Sequence, residues 1–293
     1  MTLSGKGYYQ GLFFLMMTMI VSCTNDIIVK FVGQRLDSLQ VIFFRFFFGL
    51  ITLFPFAILQ GKQIFKTQQL GFNLIRGILG AISIFLYTYS VIYLPLVEVI
   101  TILWTIPLFV IILSIFFLKE HVSIMRWTAT IVGFLGLSFI TLYNSNVSVS
   151  LQWLYIVPIA ASFLFAAQDV MIKKIVDVEN RVTMLLYFAL VTSIISFIPA
   201  LLVWKTPTLY EFSMLFLLGA GGNLIQYFIF KSYSATDLSA LSPFRYMEFL
   251  FSAYFAFVFF GEVPGVNVLI GALILIPSTF YLAYSETRRP CVT

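Results

Sequence analysis

The sequence is short of charge. Charged residues occupy 10% of its 293 positions, against about 25% in a soluble domain. The apolar set reaches 61%. Such a chain has too little polar surface to wrap a core in water, which excludes a soluble enzyme or a nucleic-acid binder. Histidine is nearly absent. The single His121 lies beside Lys119 and Glu120 in a polar break, and no His/Cys cluster has metal-ligand spacing. Only two cysteines occur, Cys23 in an apolar run and Cys291 in the polar tail, so no disulfide framework is implied. No Gly-x-x-x-x-Gly-Lys-Ser/Thr loop appears, which argues against direct ATP drive. On these grounds no cofactor and no resident metal is expected.

What the sequence has is long apolar runs. A helix needs ~20 mostly apolar residues to cross the hydrocarbon core. Runs of that length fall at 11–32, 38–60, 71–92, 95–117, 124–143, 151–173, 182–204, 211–231, 239–260 and 266–285. Polar and glycine-containing breaks separate them, among them Gly33-Gln34-Arg35, Gly61-Lys62, Lys119-Glu120-His121 and Asp177 to Arg181. A membrane β-barrel, with strands of ~10 alternating residues, is excluded. Apolar helix continues past Cys23 through Ile27, Ile28 and Val29, so Cys23 is read as helical and not as a lipoprotein cleavage site. Ten crossings put both termini on one side. That side holds Lys6, Lys62, Lys66, Lys119, Arg126, Lys173, Lys174, Arg181, Lys231, Arg288 and Arg289; the other holds Lys30, Arg35 and Lys205. The bias places both termini in the cytoplasm. The net charge of +5 is thus mostly a topology signal, and no nucleic-acid partner is needed.

The chain also repeats itself. A shift of about 142 residues lays Asn25-Asp26 near Gln168-Asp169, Gly77 and Gly80 on Gly219 and Gly222, and Leu118-Lys119-Glu120 on Phe260-Gly261-Glu262. Each half then holds five helices, an odd number, so the second half enters from the opposite face. The expected fold is an all-α integral membrane protein of ten transmembrane helices, arranged as two inverted five-helix repeats. The first spans 8–143 and the second 151–285, with a cytoplasmic tail at 286–293. Inverted repeats are a signature of carriers, whose substrate lies between the halves near the midplane.

Two five-helix halves, each ending in an apolar helix, an acidic break (Lys119-Glu120, Gly261-Glu262) and a final Gly-containing helix, resemble the EamA repeat of the drug/metabolite transporter superfamily. Shorter strings are similar to the S-adenosylmethionine uptake branch of that superfamily in intracellular bacteria. They include Thr24 to Lys30, Phe43-Phe44-Arg45-Phe46-Phe47-Phe48, Leu74-Ile75-Arg76-Gly77, Asp169 to Lys174, Phe244-Arg245-Tyr246-Met247-Glu248 and Ile276-Pro277-Ser278-Thr279. The resemblance implies an importer of S-adenosylmethionine that works by alternating access, with S-adenosylhomocysteine as a candidate exchange partner.

Eight ionisable residues fall inside the spans: Asp26, Lys30, Arg45, Arg76, Glu98, Asp169, Arg245 and Glu248. Each costs ~2.5–3.5 kcal/mol at the bilayer centre. Together that exceeds a domain's net stability of about 5–15 kcal/mol, so most must pair, snorkel or face a wet cavity. Asp26 lies too deep to reach water easily and either bridges Lys30 one turn on or serves substrate and gate. Asp169 repeats the arrangement with Lys173 and is the candidate partner gate. Arg245 and Glu248 share one face and either satisfy each other or line a break opened by Pro243. Pro107, with Trp104 one turn earlier, marks a matching kink in the fourth span. Arg76 either snorkels or functions.

S-adenosylmethionine carries a sulfonium, an ammonium, a carboxylate and an adenine. Its site needs acids, an arginine and aromatic faces. Asp26 with Asn25 beside it, Glu248 and Glu98 are candidates for the first. Arg45 and Arg245 are candidates for the second, and Tyr87, Trp104 and Tyr246 for the third. Asn223 and Gln226 add polar groups after the packing glycines Gly219, Gly221 and Gly222. The same inventory fits an aromatic amino acid or a cationic drug. A proton-coupled exporter on this fold, with Asp26, Asp169 or Glu248 carrying the proton, is the alternative. A membrane enzyme would need a nucleophile–base or metal constellation that one loop histidine does not make.

Overall fold

The computed structural model describes residues 5–94, 96–143, 153–261, 273, 275–277 and 279–284. Among them there are helices and no strands. The long helices are α1 (Gly5–Val32), α2 (Ser38–Gln60) and α3 (Leu70–Tyr93). The fourth span is broken into α4 (Leu96–Leu103) and α5 (Ile106–Leu113), followed by a single π turn at Ser114–Leu118. Then come α6 (Ile124–Tyr143), α7 (Ile156–Ile175), α8 (Arg181–Leu202) and α9 (Leu209–Ala235). The ninth span is broken as well, into α10 (Leu238–Leu241), a 3₁₀ segment at Ser242–Met247 and α11 (Glu248–Phe260). Seven of the described helical stretches are long and apolar enough to cross a membrane. The tenth expected span, 266–285, and the tail 286–293 fall largely outside the described residues.

The two breaks sit where proline removes a backbone donor. Pro107 opens α5 and Pro243 opens the 3₁₀ segment. Elsewhere the helix ends are fixed by capping. Asp37 accepts from the Leu39 amide at 2.9 Å and starts α2. Asn180 accepts from the Val182 amide at 2.9 Å and starts α8. These two caps occupy equivalent places in the repeat. So do the two left-handed residues that end the broken spans, Lys119 (φ 55°) and Gly261 (φ 65°). The π turn before Lys119 and the last turn of α11 before Gly261 therefore stop in the same backbone geometry.

Helix packing obeys the same exchange. In the interior α1 runs along α9, α2 along α8 and α9, and α3 along α7 and α8. Exchanging first-half helices for their second-half equivalents maps this set onto itself. The turns do likewise. Arg35, between α1 and α2, binds Glu211 at the start of α9. Glu179, between α7 and α8, accepts from Thr67 Oγ1 at 2.6 Å and the Gln69 amide at 3.1 Å, at the start of α3. The hydrogen bonds it donates to Glu211 hold the pKa of the Arg35 guanidinium above its ordinary range. Phe54, Ile58, Ile198 and Leu202 point outward and are exposed, as lipid-facing positions require.

Glycine sets the approach of α9 to α2. A Cβ on Gly219 would lie 2.7 Å from the Gly49 amide nitrogen and 2.8 Å from the Phe48 carbonyl carbon. Backbone cannot swing aside, so Gly219→Ala is expected to destabilise by about 1–3 kcal/mol. Gly71→Ala, at a position with open space around it, serves as the neutral control. The melting midpoint of the detergent-solubilised protein reads the difference.

Candidate functional site

A cavity of about 470 Å³ opens between the two halves. It is walled by α1, α2 and α3 on one side and by α7, α8, α9 and the 242–247 segment on the other. At one end it reaches the α1–α2 turn, where Gly33 and Ser38 line it and are exposed. At the opposite end stand Asp169 and Arg245.

Seven of the expected site residues line this cavity together: Asp26, Arg45, Tyr87, Asp169, Asn223, Gln226 and Arg245. Asp26 is exposed on α1, and the charges of Glu248 and Arg45 act on it. Arg45 lies against Gly222, where a Cβ would come 3.3 Å from its Nε; the glycine leaves the guanidinium its room. Asn223 is anchored, donating from Nδ2 to the Gly49 carbonyl at 2.7 Å and to Thr52 Oγ1 at 2.8 Å. Gln226 has its Oε1 buried with no hydrogen-bond partner among the described residues.

Other expected residues are placed differently. Asn25 is buried under Gly221 and donates to the Leu218 carbonyl at 3.3 Å, so it braces α1 against α9 and does not line the cavity. Trp104, Pro107, Tyr246 and Glu248 line a smaller cavity of about 190 Å³ next door, shared with Arg245. There Tyr246 is fully buried and donates from its hydroxyl to the Trp104 carbonyl at 3.1 Å. The two broken spans are thereby tied at equivalent points, and the Tyr246 ring is not presented to the central cavity. Pro243 is buried at the start of its turn. Glu98 belongs to α4, and its side chain lies outside the described residues.

The charge pairing also differs from the sequence expectation. Arg245 does not pair with Glu248 three residues on; its Nη1 pairs with Asp169 on α7. Nor does Lys173 bridge Asp169 along the helix. Its Nζ donates to the carbonyls of Tyr233 at 2.5 Å and Thr236 at 2.8 Å, at the end of α9. The 3₁₀ turn that follows Pro243 lets Arg245 reach a different helix, which no helical-wheel argument along one span captures. Gln168 and Thr88, which are not among the expected residues, also line the cavity, as do Phe46, Phe165 and Phe188. Gln168 was findable, since it stands opposite Asn25 in the repeat. The cavity thus offers one acid and one arginine, Asp26 and Arg45, three side-chain amides, four aromatic rings and an ion pair at its closed end. That chemistry suits a zwitterion with an aromatic part.

Residues 9–142, and again 152–284, match the EamA-like transporter family. The chain belongs to that family and is a multi-pass membrane transporter. It is 40% identical over 283 residues to a protein of Rickettsia bellii described as an S-adenosylmethionine uptake transporter, across 97% of this chain and 96% of that one. A protein of Vibrio cholerae serotype O1 described as a riboflavin transporter is 30% identical, across 87% of this chain and 85% of that one. A solved crystal structure superposes with a TM-score of 0.80 at 15% identity, over 95% of this chain and 98% of that one, and shares the fold.

Proposed function

We propose that this protein imports S-adenosylmethionine across the bacterial inner membrane, in exchange for S-adenosylhomocysteine, with both termini in the cytoplasm. The observation that carries the proposal is the cavity itself, which sets Asp26 and Arg45 together beside aromatic walls and the unpartnered amide oxygen of Gln226. Asp26 takes a cationic centre, Arg45 the carboxylate, and Gln226 accepts from the adenine amino group. Under the positive-inside assignment the α1–α2 turn faces outside, so the conformation is open to the outside and closed at Asp169–Arg245. Alternating access opens that pair and closes the other end. Riboflavin, a neutral cargo, would leave the acid and the arginine unused.

A competition panel tests the substrate. Unlabelled S-adenosylmethionine and S-adenosylhomocysteine are expected to displace labelled S-adenosylmethionine, and methionine, tryptophan, riboflavin and ATP are not. Displacement by tryptophan or riboflavin at the same concentration overturns the assignment. Exchange has an electrical consequence. S-adenosylmethionine carries one net positive charge at neutral pH and S-adenosylhomocysteine none, so each cycle moves one charge inward. An inside-negative potential of about 100 mV is then worth about 2.3 kcal/mol, up to roughly fiftyfold in accumulation. A potassium diffusion potential across proteoliposomes loaded with S-adenosylhomocysteine measures it; uptake indifferent to the potential would rule out this exchange.

A further inference from the structure

We propose that Arg76, with Asn73 one turn before it, forms a second station for the amino-acid head group of the cargo, shut in this conformation and used once the closed end opens. The proposal rests on the reading of the cargo as S-adenosylmethionine or another amino-acid derivative. Arg76 sits on α3 and is fully buried. Its Nη2 donates to the Met184 carbonyl, while Nε and Nη1 have no hydrogen-bond partner among the described residues. Among the described residues it forms no ion pair. Its guanidinium is instead held between two rings, 4.8 Å from the centroid of Phe188 and 5.3 Å from that of Phe230.

Neighbouring cations are treated otherwise. Arg245 has Asp169, Arg126 has Asp237 and Ser239, and Lys173 has two carbonyls. A buried guanidinium without an anion, and with two donors idle, is a costly arrangement to keep for packing alone. Aromatic faces offset part of that cost and supply none of the missing acceptors. Asn73 is the complementary half. It lies on the same face of α3, three residues earlier, fully buried, with Nδ2 donating to Thr67 Oγ1 at 3.1 Å and Oδ1 without a partner among the described residues. Two idle donors and one idle acceptor match a carboxylate and an ammonium on one carbon.

Access is close at hand. Phe188 lines the central cavity as well as covering Arg76. The ring lies against α3 because Gly80, four residues after Arg76, has no Cβ to meet it; one would sit 2.5 Å from Phe188 Cε2. Rotation of that one ring joins Arg76 to the cavity, on the side of the closed end. The head group is then handed from Arg45 to Arg76 as the cargo descends.

The test uses the full chain in proteoliposomes, with Arg76→Gln and Arg76→Lys. The cargoes are labelled S-adenosylmethionine and its decarboxylated analogue, which lacks only the carboxylate. Binding from the open side, measured at equilibrium, is expected to stay within about threefold of the parent for Arg76→Gln. Exchange of S-adenosylmethionine is expected to fall about tenfold or more. Exchange of the decarboxylated analogue is expected to be slow already in the parent and no slower in the variant. Equal losses on both cargoes, or no loss on either, overturn the proposal. Should Arg76→Gln fail to reach the membrane, Arg76→Lys is read on the same two cargoes by the same criterion. Failure of the parent protein to take up S-adenosylmethionine overturns the functional reading instead, and that result is seen before any variant is compared.

Discussion

Asp169→Asn is expected to lower the stability of this protein more than any other single change in the cavity, and to lower its transport as well. Its carboxylate is paired with the Arg245 guanidinium across the two halves, and the side chains are only 9% and 26% exposed. Removing one partner of such a pair leaves a charge with no counter-ion, at a cost of about 3–5 kcal/mol. Asp169→Asn should therefore shift the melting midpoint sharply downward. The double change Asp169→Asn with Arg245→Gln removes both charges and should recover a large part of that loss, since no orphan remains. If the single and double changes are equally damaging, the pair is not the element that holds the closed end. Exchange rates add a second readout. A pair that must open in each cycle should, once neutralised, leave the cargo-free protein shifting between its two openings without the barrier that normally couples the shift to cargo.

Asp26→Asn is expected to act in the opposite way, removing transport while sparing the fold. Asp26 is exposed to the cavity and not locked in the core, so its neutralisation costs no buried partner. A charge-assisted contact to the cargo is worth about 1.5–3 kcal/mol, or roughly 10–100-fold in apparent affinity. The loss should be larger for S-adenosylmethionine than for S-adenosylhomocysteine, which has no sulfonium charge for Asp26 to meet. Melting midpoints of the parent and of Asp26→Asn are expected to agree. A variant that unfolds, or that loses both cargoes equally, would place Asp26 in the scaffold.

How much of this could be read from the chain alone follows from the physics of a membrane sequence. Length and apolarity fix where helices lie, and the runs at 38–60, 71–92 and 182–204 fall close to α2, α3 and α8. Glycines at Gly77, Gly80, Gly219 and Gly222 were visible as a repeated pattern, and each faces a neighbouring helix. Rotation about the helix axis is less legible, because a span that is apolar on every side gives no stripe to orient it. That is why Asn25, next to Asp26, reads from sequence as a site residue although it faces α9. Breaks were the second blind spot. Pro107 and Pro243 signalled interruption, but the direction in which the chain resumes decided that Trp104, Tyr246 and Glu248 meet in a separate smaller cavity. Long-range pairing was the third. Arg245 and Asp169 are 76 positions apart, while local reasoning offered each a partner within four. The repeat is the strongest guide in the chain, since it relates Asn25 to Gln168 and Asp37 to Asn180.

The central claim is that the cavity between the repeats carries S-adenosylmethionine inward. Uptake of labelled S-adenosylmethionine by the purified protein in proteoliposomes tests it most directly. Saturable uptake that accelerates when S-adenosylhomocysteine is preloaded inside is the predicted result. Uptake no greater than in protein-free vesicles would contradict it.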